Sequence, residues 1–259
     1  MSIHPSALVS EKATIGSNPR IGAFAVIEDH VKLGDDCQID AAAQIRNGSE
    51  IGNQCHIGSG AIIGADPHFI GFDPTTSSGV VLGEKNEIRE YVTIHRSIEN
   101  EGVTILGNEN YLMSGAHVGH DCTLGNSNTL ANNVLLGGHV EMGNHCFFGG
   151  GAVVHQFVRL GDYIMAQGLS GVSLDIPHYL IISGINTIGG INAVGLKRAG
   201  LGPESRREIK EAFRRIYRGS ETLAEVLDAV EKAEHSPEVN TFYDFFRQKS
   251  KKGVCVRFG

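Results

Sequence analysis

Tryptophan is absent from this 259-residue chain, and all aromatic residues together make up only 7%. A core that relies on large rings for its buried area is therefore excluded, and the interior has to be built from smaller side chains. Long apolar runs are missing as well. None approaches the roughly 18 residues of a membrane-spanning helix, so no transmembrane segment is expected. The opening Met1-Ser2-Ile3-His4-Pro5 lacks both a basic start and an apolar stretch, so no secretory leader is expected and the expected compartment is cytoplasmic. Positive charge is in deficit: 22 Lys plus Arg against 29 Asp plus Glu leaves a net charge of −7, which argues against nucleic acid as a partner. The five cysteines are odd in number and contain no Cys-x-x-Cys pair, which argues against a disulfide framework and against a paired-cysteine zinc site. With 41% apolar and 20% charged residues, the chain is nevertheless a folded one.

What is abundant is glycine, 34 residues or about 13%, against a typical value near 7%. It belongs to a repeat. Every sixth residue from Ile3 to Ile63 is aliphatic. The pattern breaks between Asp66 and Gly79, resumes at Leu82, Ile88 and Ile94, pauses near Asn100, and runs again from Leu106 to Val172. All 26 hexads have an apolar first position, where 41% apolar content would give about 11 by chance. Glycine follows that position in 14 of them. The fifth position is mostly small, as in Ala25, Ala43, Ala61, Ala116 and Ala152, and holds Cys37, Cys55, Cys122 and Cys146, which read as small buried hydrophobes.

A period of six fits neither a helix nor a lone strand. It fits a solenoid whose coil has three flat sides, each a short strand and a turn, with three hexads per 18-residue coil. The first position points inward, the glycine helps to turn the corner, and the small fifth position suits a crowded interior. The fold class expected is mainly β: a parallel β-helix over residues 1–190, with loop insertions near 65–81 and 98–104. The repeat ends near Ile176-Pro177, and a glycine-rich connector follows from Ser183 to Gly190. A C-terminal α-helical domain is expected over 191–259. There Ile209, Ala212, Phe213, Ile216 and Tyr217 recur at helical spacing, as do Leu223, Val226, Leu227 and Val230 after an N-cap at Ser220, and Val239, Phe242, Tyr243 and Phe246. Residues 1–195 carry 8 basic and 19 acidic side chains, whereas 196–259 carry 14 and 10.

Coil arithmetic sorts the twelve histidines. Residues 18 apart stack on adjacent coils, so the column through His120 continues at 138 and 156, with His139 and His155 beside it and His117 three residues before His120. These four are expected to cluster over about two coil spacings, roughly 10 Å. His4, His30, His56, His145, His178 and His235 fall outside the group. A neutral imidazole can take the proton of a hydroxyl as its oxygen attacks an acyl group. Asp121 is placed to hold His120, although neighbouring strand residues point to opposite faces. Gly138 can offer a backbone N–H to a developing oxyanion. Three histidines can instead ligate zinc, and periodicity alone does not separate the two chemistries. Three such solenoids packed side by side would cover their flat faces and put the histidines at a subunit boundary.

Specific motifs recur in order: Thr93-Ile94-His95-Arg96, Ala116-His117-Val118-Gly119-His120-Asp121-Cys122, Leu130-Ala131-Asn132-Asn133, Gly138-His139-Val140, Val154-His155-Gln156-Phe157 and Gly195-Leu196-Lys197-Arg198. With the hexads and the helical tail, they closely resemble the bacterial acyl-ACP–UDP-N-acetylglucosamine O-acyltransferases that begin lipid A synthesis. The resemblance covers nearly the whole chain. It implies a left-handed parallel β-helix, an exception to the usual right-handed crossover. It also implies a homotrimer with sites between subunits, an acyl carrier protein thioester as donor, a nucleotide-sugar acceptor, and neither a cofactor nor a metal. It makes His120 the general base toward the sugar 3-hydroxyl, Asp121 its assistant and Gly138 the oxyanion amide. His117, His139 and His155 correspond to substrate-positioning histidines, and Gln156, Asn192 and Arg198 to nucleotide-side contacts. His95 lies in a family motif, and Gly168 falls where acyl-chain length is set.

Two departures stand out. After Ile63 the family carries a Gln-Asp-Leu-Lys-like run, whereas this chain reads Asp66-Pro67-His68-Phe69-Ile70-Gly71-Phe72-Asp73, and only His68 aligns, with the Gln. Ala199 stands where the family often has a second Arg. A different nucleotide sugar, such as an amino sugar acylated at nitrogen, is the alternative acceptor. A zinc lyase resembling the γ-type carbonic anhydrases is a third reading, and the long helical tail with its Lys-Arg pair argues against it.

Overall fold

The computed structural model describes residues 2–231 and 233–259. Up to Val172 the chain winds as a three-sided parallel β-helix. Its three sheets contain 11, 9 and 8 strands, and each links every third strand of the sequence as far as Val172; the last two strands of the largest sheet lie beyond that point. Ser2 pairs with Arg20 and Ile3 with Ile21, and Leu135 with Val153 and Leu136 with Val154, the 18-residue offset expected of three hexads. The offset widens twice. Ile63 pairs with Ile94 and Ile94 with Val118, because two loops leave the coil, one between the strands Ile62–Ala65 and Gly79–Leu82, the other between Thr93–His95 and Val103–Leu106.

The first hexad positions stack into one aliphatic column: Ile45, Ile57, Ile63, Ile88, Ile94, Leu106, Leu112, Val118 and Leu130 are all 0% exposed. At about 1.5–3 kcal/mol per buried aliphatic side chain, this column is the main driving force of the fold. Cys37, Cys55, Cys122 and Cys146 fill the small fifth positions as free, buried thiols. Asn86, Asn110 and Asn128 are buried as well, and each is satisfied by the coil above it: Asn86 Oδ1 accepts the Asn110 N–H at 2.9 Å, and Asn110 Oδ1 the Asn128 N–H at 2.9 Å.

The corners are turned differently from the sequence expectation. In most hexads the fourth residue has a positive φ, and it is usually not glycine: Asp36, Gln54, Tyr91, Asp121, His139 and Phe157 all lie at φ between 55° and 67°. The glycine in second position has another duty. A Cβ on Gly119 would lie 2.7 Å from the Gly138 nitrogen, and one on Gly52 2.5 Å from the Gly83 oxygen. Glycine is there because successive coils approach too closely for any side chain.

The segment read as a connector is a β-hairpin. Leu180–Ser183 continues one sheet in parallel beside Met165–Ala166, and Thr187–Ile191 closes it antiparallel. Four helices follow: α1 (Ala193–Arg198), α2 (Pro203–Arg218), α3 (Leu223–Val230) and α4 (Pro237–Arg247). α1 is too short to show a period and was not expected. α3 is capped by Thr222 rather than Ser220: Thr222 and Glu225 form a reciprocal capping box. The chain end returns to the β-helix, bridging Val254 to Asp175 and Phe258 to Ile188. No helix among the described residues is long and apolar enough to cross a membrane.

Candidate active site

One corner of the β-helix gathers the chemistry. The 18-residue register stacks His120 over Gly138 and Asp121 over His139, and the His139 N–H donates to the His120 carbonyl at 2.9 Å. His120 Nδ1–H donates to Asp121 Oδ2 at 2.7 Å. Neighbours in sequence can meet this way because they occupy a turn rather than a strand: with φ at 60°, Asp121 folds back toward its predecessor. The objection that adjacent residues face opposite ways applies only to extended chain.

Asp121 is itself held. Ser97 donates its hydroxyl to Oδ1, the Ile98 N–H donates to Oδ2 at 3.2 Å, and the Asp121 N–H donates to Thr104 Oγ1 at 2.8 Å. Burial pushes its carboxyl pKa up, but the hydrogen bonds from Ser97, His120 and Ile98 outweigh burial and hold it below the ordinary value. The carboxylate is therefore an anion that fixes the proton of His120 on Nδ1 and leaves the Nε2 lone pair free. Ser97, Ile98 and Thr104 belong to the second inserted loop and its exit. The sequence signalled only that the hexads break there.

Nε2 looks onto Gly138. A Cβ built at that glycine would sit 2.6 Å from both Cε1 and Nε2 of His120. The missing side chain is the space in front of the imidazole. Among the described residues, the Gly138 N–H has no hydrogen-bond acceptor, although its carbonyl accepts the Phe157 N–H at 3.0 Å. An open N–H beside a base with a free lone pair is suited to an oxyanion.

Three further histidines meet on the N-terminal side. His68, from the first inserted loop, packs edge-on against His95 with centroids 4.3 Å apart and lies parallel to His117 at 5.9 Å; His95 and His117 are 4.7 Å apart. Burial, with the neighbouring histidines, lowers His95 to about 3 and His117 to about 4, so both are neutral at pH 7. His117 Nδ1 is 2.8 Å from Thr93 Oγ1. Phe69, half-exposed, faces the His120 ring at 6.2 Å, and His139 stacks on Phe157 at 4.5 Å. Burial lowers His139 too, against the opposing pull of Asp121. Beyond it lies a cleft of about 540 Å³, lined by Asp121, His139, Phe157, Arg159, Phe245 and Lys251.

The first inserted loop is pinned by a residue that sequence reasoning passed over. Arg96 pairs with Asp66 Oδ1 at 2.9 Å, donates to the carbonyls of Pro74 at 2.9 Å and Thr76 at 2.5 Å, and lies 4.8 Å over the Phe72 ring. It is what brings His68 and Phe69 to the site.

The other expected residues lie outside this contact group. His155 and Gln156 are exposed, with Lys252 Nζ 3.2 Å from His155 Nδ1. Asn192 is the N-cap of α1: its Oδ1 accepts the Gly195 N–H at 2.9 Å, and its Nδ2 donates to the Tyr163 carbonyl at 2.9 Å. Arg198 ends α1 and is exposed. A Cβ on Gly168 would touch only the Gly150 backbone, at 3.2 Å.

Known proteins resemble this chain in sequence and in fold. A family described as UDP N-acetylglucosamine O-acyltransferase, domain 2, matches residues 175–255, and bacterial transferase hexapeptide repeats match 12–41 and 30–65. The acyl-[acyl-carrier-protein]–UDP-N-acetylglucosamine O-acyltransferase of Halorhodospira halophila is 38% identical over 257 residues, 97% of this chain and 98% of that protein. The solved UDP-N-acetylglucosamine acyltransferase of Bacteroides fragilis is 38% identical, with a TM-score of 0.91 over 97% of this chain and 99% of that one. That of Francisella novicida is 34% identical, with a TM-score of 0.94 over 99% and 94%. By sequence along its whole length and by superposition of its fold, the chain belongs to the acyl-[acyl-carrier-protein]–UDP-N-acetylglucosamine O-acyltransferase family.

Proposed function

We propose that this protein transfers a 3-hydroxyacyl chain from acyl carrier protein to the 3-hydroxyl of UDP-N-acetylglucosamine, the first step of lipid A synthesis, in the cytoplasm. The observation that carries the reading is the Asp121–His120 pair with its open side over the free N–H of Gly138. Nε2 of His120 takes the proton of the sugar hydroxyl as that oxygen bonds to the thioester carbonyl carbon. The carbonyl oxygen becomes an oxyanion that accepts the Gly138 N–H. Collapse breaks the carbon–sulfur bond, and the departing thiolate takes the proton back from His120. Asp121, ionised and hydrogen-bonded, stabilises the imidazolium between these steps. The chemistry requires no cofactor.

His68, His95, His117, His139 and His155 orient the substrates, and Gln156 and Arg198 receive the nucleotide. A guanidinium suits phosphate oxygens. Asn192 contributes by capping the helix that presents Arg198. Gly168 leaves room for a long acyl chain. The carrier protein is acidic-surface chemistry for α2, where Arg206, Lys210, Arg214 and Arg218 recur at four-residue spacing along one cleft. Leu135 and Val153 stack on one sheet face with 44% and 43% of their surface exposed. That apolar face fits burial in a homotrimer, and light scattering showing a monomer would remove it.

The test is incubation with 3-hydroxyacyl carrier protein and UDP-N-acetylglucosamine, following acylated nucleotide sugar by mass spectrometry, with His120→Ala alongside. Product that disappears in the variant is expected. A folded wild type that leaves this sugar untouched and acylates a 3-amino nucleotide sugar would refute the acceptor assignment.

A further inference from the structure

We propose that Lys251 and Lys252, on the segment that follows α4, bind the diphosphate of the nucleotide sugar. The proposal deepens the acyl-transfer reading and rests on it for the identity of the ligand.

The segment is a strap with an anchor at each end. Before the lysines, Gln248 Oε1 accepts the Arg159 Nη1–H at 2.6 Å, and Arg159 Nε donates at 2.9 Å to the buried Asp175. After them, the Asp175 N–H donates to the Gly253 carbonyl at 2.8 Å, and the Cys255 N–H to the Asp175 carbonyl at 2.8 Å. Between the anchors, Ser250 Oγ accepts the N–H of Lys252 at 3.2 Å and that of Gly253 at 2.7 Å, and Gly253 turns the chain with φ at 78°. The strap thus brings both lysines beside β-helix residues remote from them in sequence.

Where they arrive is the first observation. Lys251 Nζ stands 4.9 Å over the Phe157 ring, on which His139 stacks at 4.5 Å. Lys252 Nζ lies 3.2 Å from His155 Nδ1. The two ammonium groups therefore flank the stretch 155–157, with Gln156 between them. The charge of Lys251 reaches the site: burial lowers the pKa of His139, and His120 and Lys251 lower it further against the pull of Asp121.

The second observation is the charge balance. Lys249, Lys251 and Lys252 stand together, with no acidic residue from 249 to 255, in a chain whose net charge is −7. Neither Lys251 nor Lys252 has a carboxylate partner among the described residues; their contacts are an aromatic ring and an imidazole. Two carboxylates line the cleft of about 540 Å³ beside them, and Asp121 is committed to Ser97, Ile98 and His120, which leaves Glu141 against Lys249 and Lys251. Arg159, also in the lining, is paired with Asp175. Cations held in place without counter-charges suit an anionic ligand, and an ammonium group offers three donors to phosphate oxygens. The diphosphate is the anionic part of the nucleotide sugar, and Gln156 between the lysines puts it there rather than at α2.

Binding of UDP alone and of uridine alone to the full-length protein is measured by calorimetry at low and at high ionic strength. The wild type is expected to bind UDP, and to bind it more weakly as salt rises. The double variant Lys251→Ala, Lys252→Ala is expected to bind UDP at least about tenfold more weakly, or about 1.4 kcal/mol, with a smaller salt dependence. It is expected to bind uridine as the wild type does. Lys251→Arg, Lys252→Arg keeps both charges and is expected to recover most of the UDP affinity. In turnover, the alanine variant is expected to raise KM for the nucleotide sugar and to leave kcat near that of the wild type. Equal UDP affinity in the alanine variant and the wild type, an equal loss of uridine binding, or a KM rise confined to the acyl carrier protein would each overturn the proposal and leave the acceptor assignment standing. A folded wild type that binds no UDP would overturn both.

Discussion

Replacing Gly138 by alanine tests whether the His120 ring must stand where it does. The φ of Gly138 lies outside the left-handed region, so alanine fits the backbone and the effect falls on the neighbour alone. The new Cβ would begin 2.6 Å from Cε1 and Nε2 of His120 and 3.1 Å from Cδ2. Carbon atoms prefer separations of about 3.5–4.0 Å, so the ring has to retreat by about an ångström. It cannot do so freely, because Nδ1 is bonded to Asp121 at 2.7 Å and Asp121 is anchored by Ser97 and the Ile98 N–H. Lengthening a 2.7 Å hydrogen bond by that amount takes it beyond hydrogen-bonding distance. A misplacement of about 1 Å costs on the order of 10²-fold in rate, or about 2.7 kcal/mol of barrier. The backbone N–H survives the substitution, so loss of the oxyanion donor is not part of the effect. Initial rates with both substrates varied, read by mass spectrometry of the product, are expected to show kcat down about 10²-fold, with KM for the nucleotide sugar within a few-fold of wild type. A kcat within twofold of wild type in a folded Gly138→Ala protein would refute the assigned position of the base.

Four other outcomes follow from the same structure. Stability rises with pH between about 4 and 6.5, because unfolded histidine protonates near 6.5 whereas His117 waits until about 4 and His95 until about 3. Urea midpoints across that range have a shallower slope in His117→Gln; an unchanged slope would show that this histidine is not held neutral. All five thiols are buried, and burial pushes Cys55 to about 11 and Cys122 and Cys146 to about 12, so intact-mass analysis after maleimide treatment at neutral pH finds no label until denaturant is added. Ile57→Ala, at a fully buried column position, lowers unfolding free energy by about 2–5 kcal/mol in denaturant titration. Reversing Arg206 and Lys210 to Glu raises KM for the acyl carrier protein and leaves KM for the nucleotide sugar unchanged; no change in the former would place the carrier elsewhere.

The hexad column was legible because a period of six cannot be mistaken for a helix or a lone strand, and its inward residues from Ile21 to Val172 are those found buried. The stacking of His120 on Gly138 and of Asp121 on His139 was legible for the same reason: a constant 18-residue coil turns sequence spacing into distance. The hairpin at 180–191, the short α1 and the Thr222 cap were not, since each is decided by a few local contacts against the end of the β-helix. Thr222-x-x-Glu225 did carry a capping signal, which Ser220 obscured.

The sequence by itself determined the coil, its axis and the column in which His120 stands, because the repeat imposes one register on every neighbour. Only the tertiary structure decided what completes that column. The positive φ of Asp121 turns its carboxylate onto His120, the second inserted loop delivers Ser97 and the Ile98 N–H to that carboxylate, and Arg96 folds the first loop so that His68 reaches His95 and His117. These are contacts made by residues outside the period, where no regular spacing relates position in the chain to position in space.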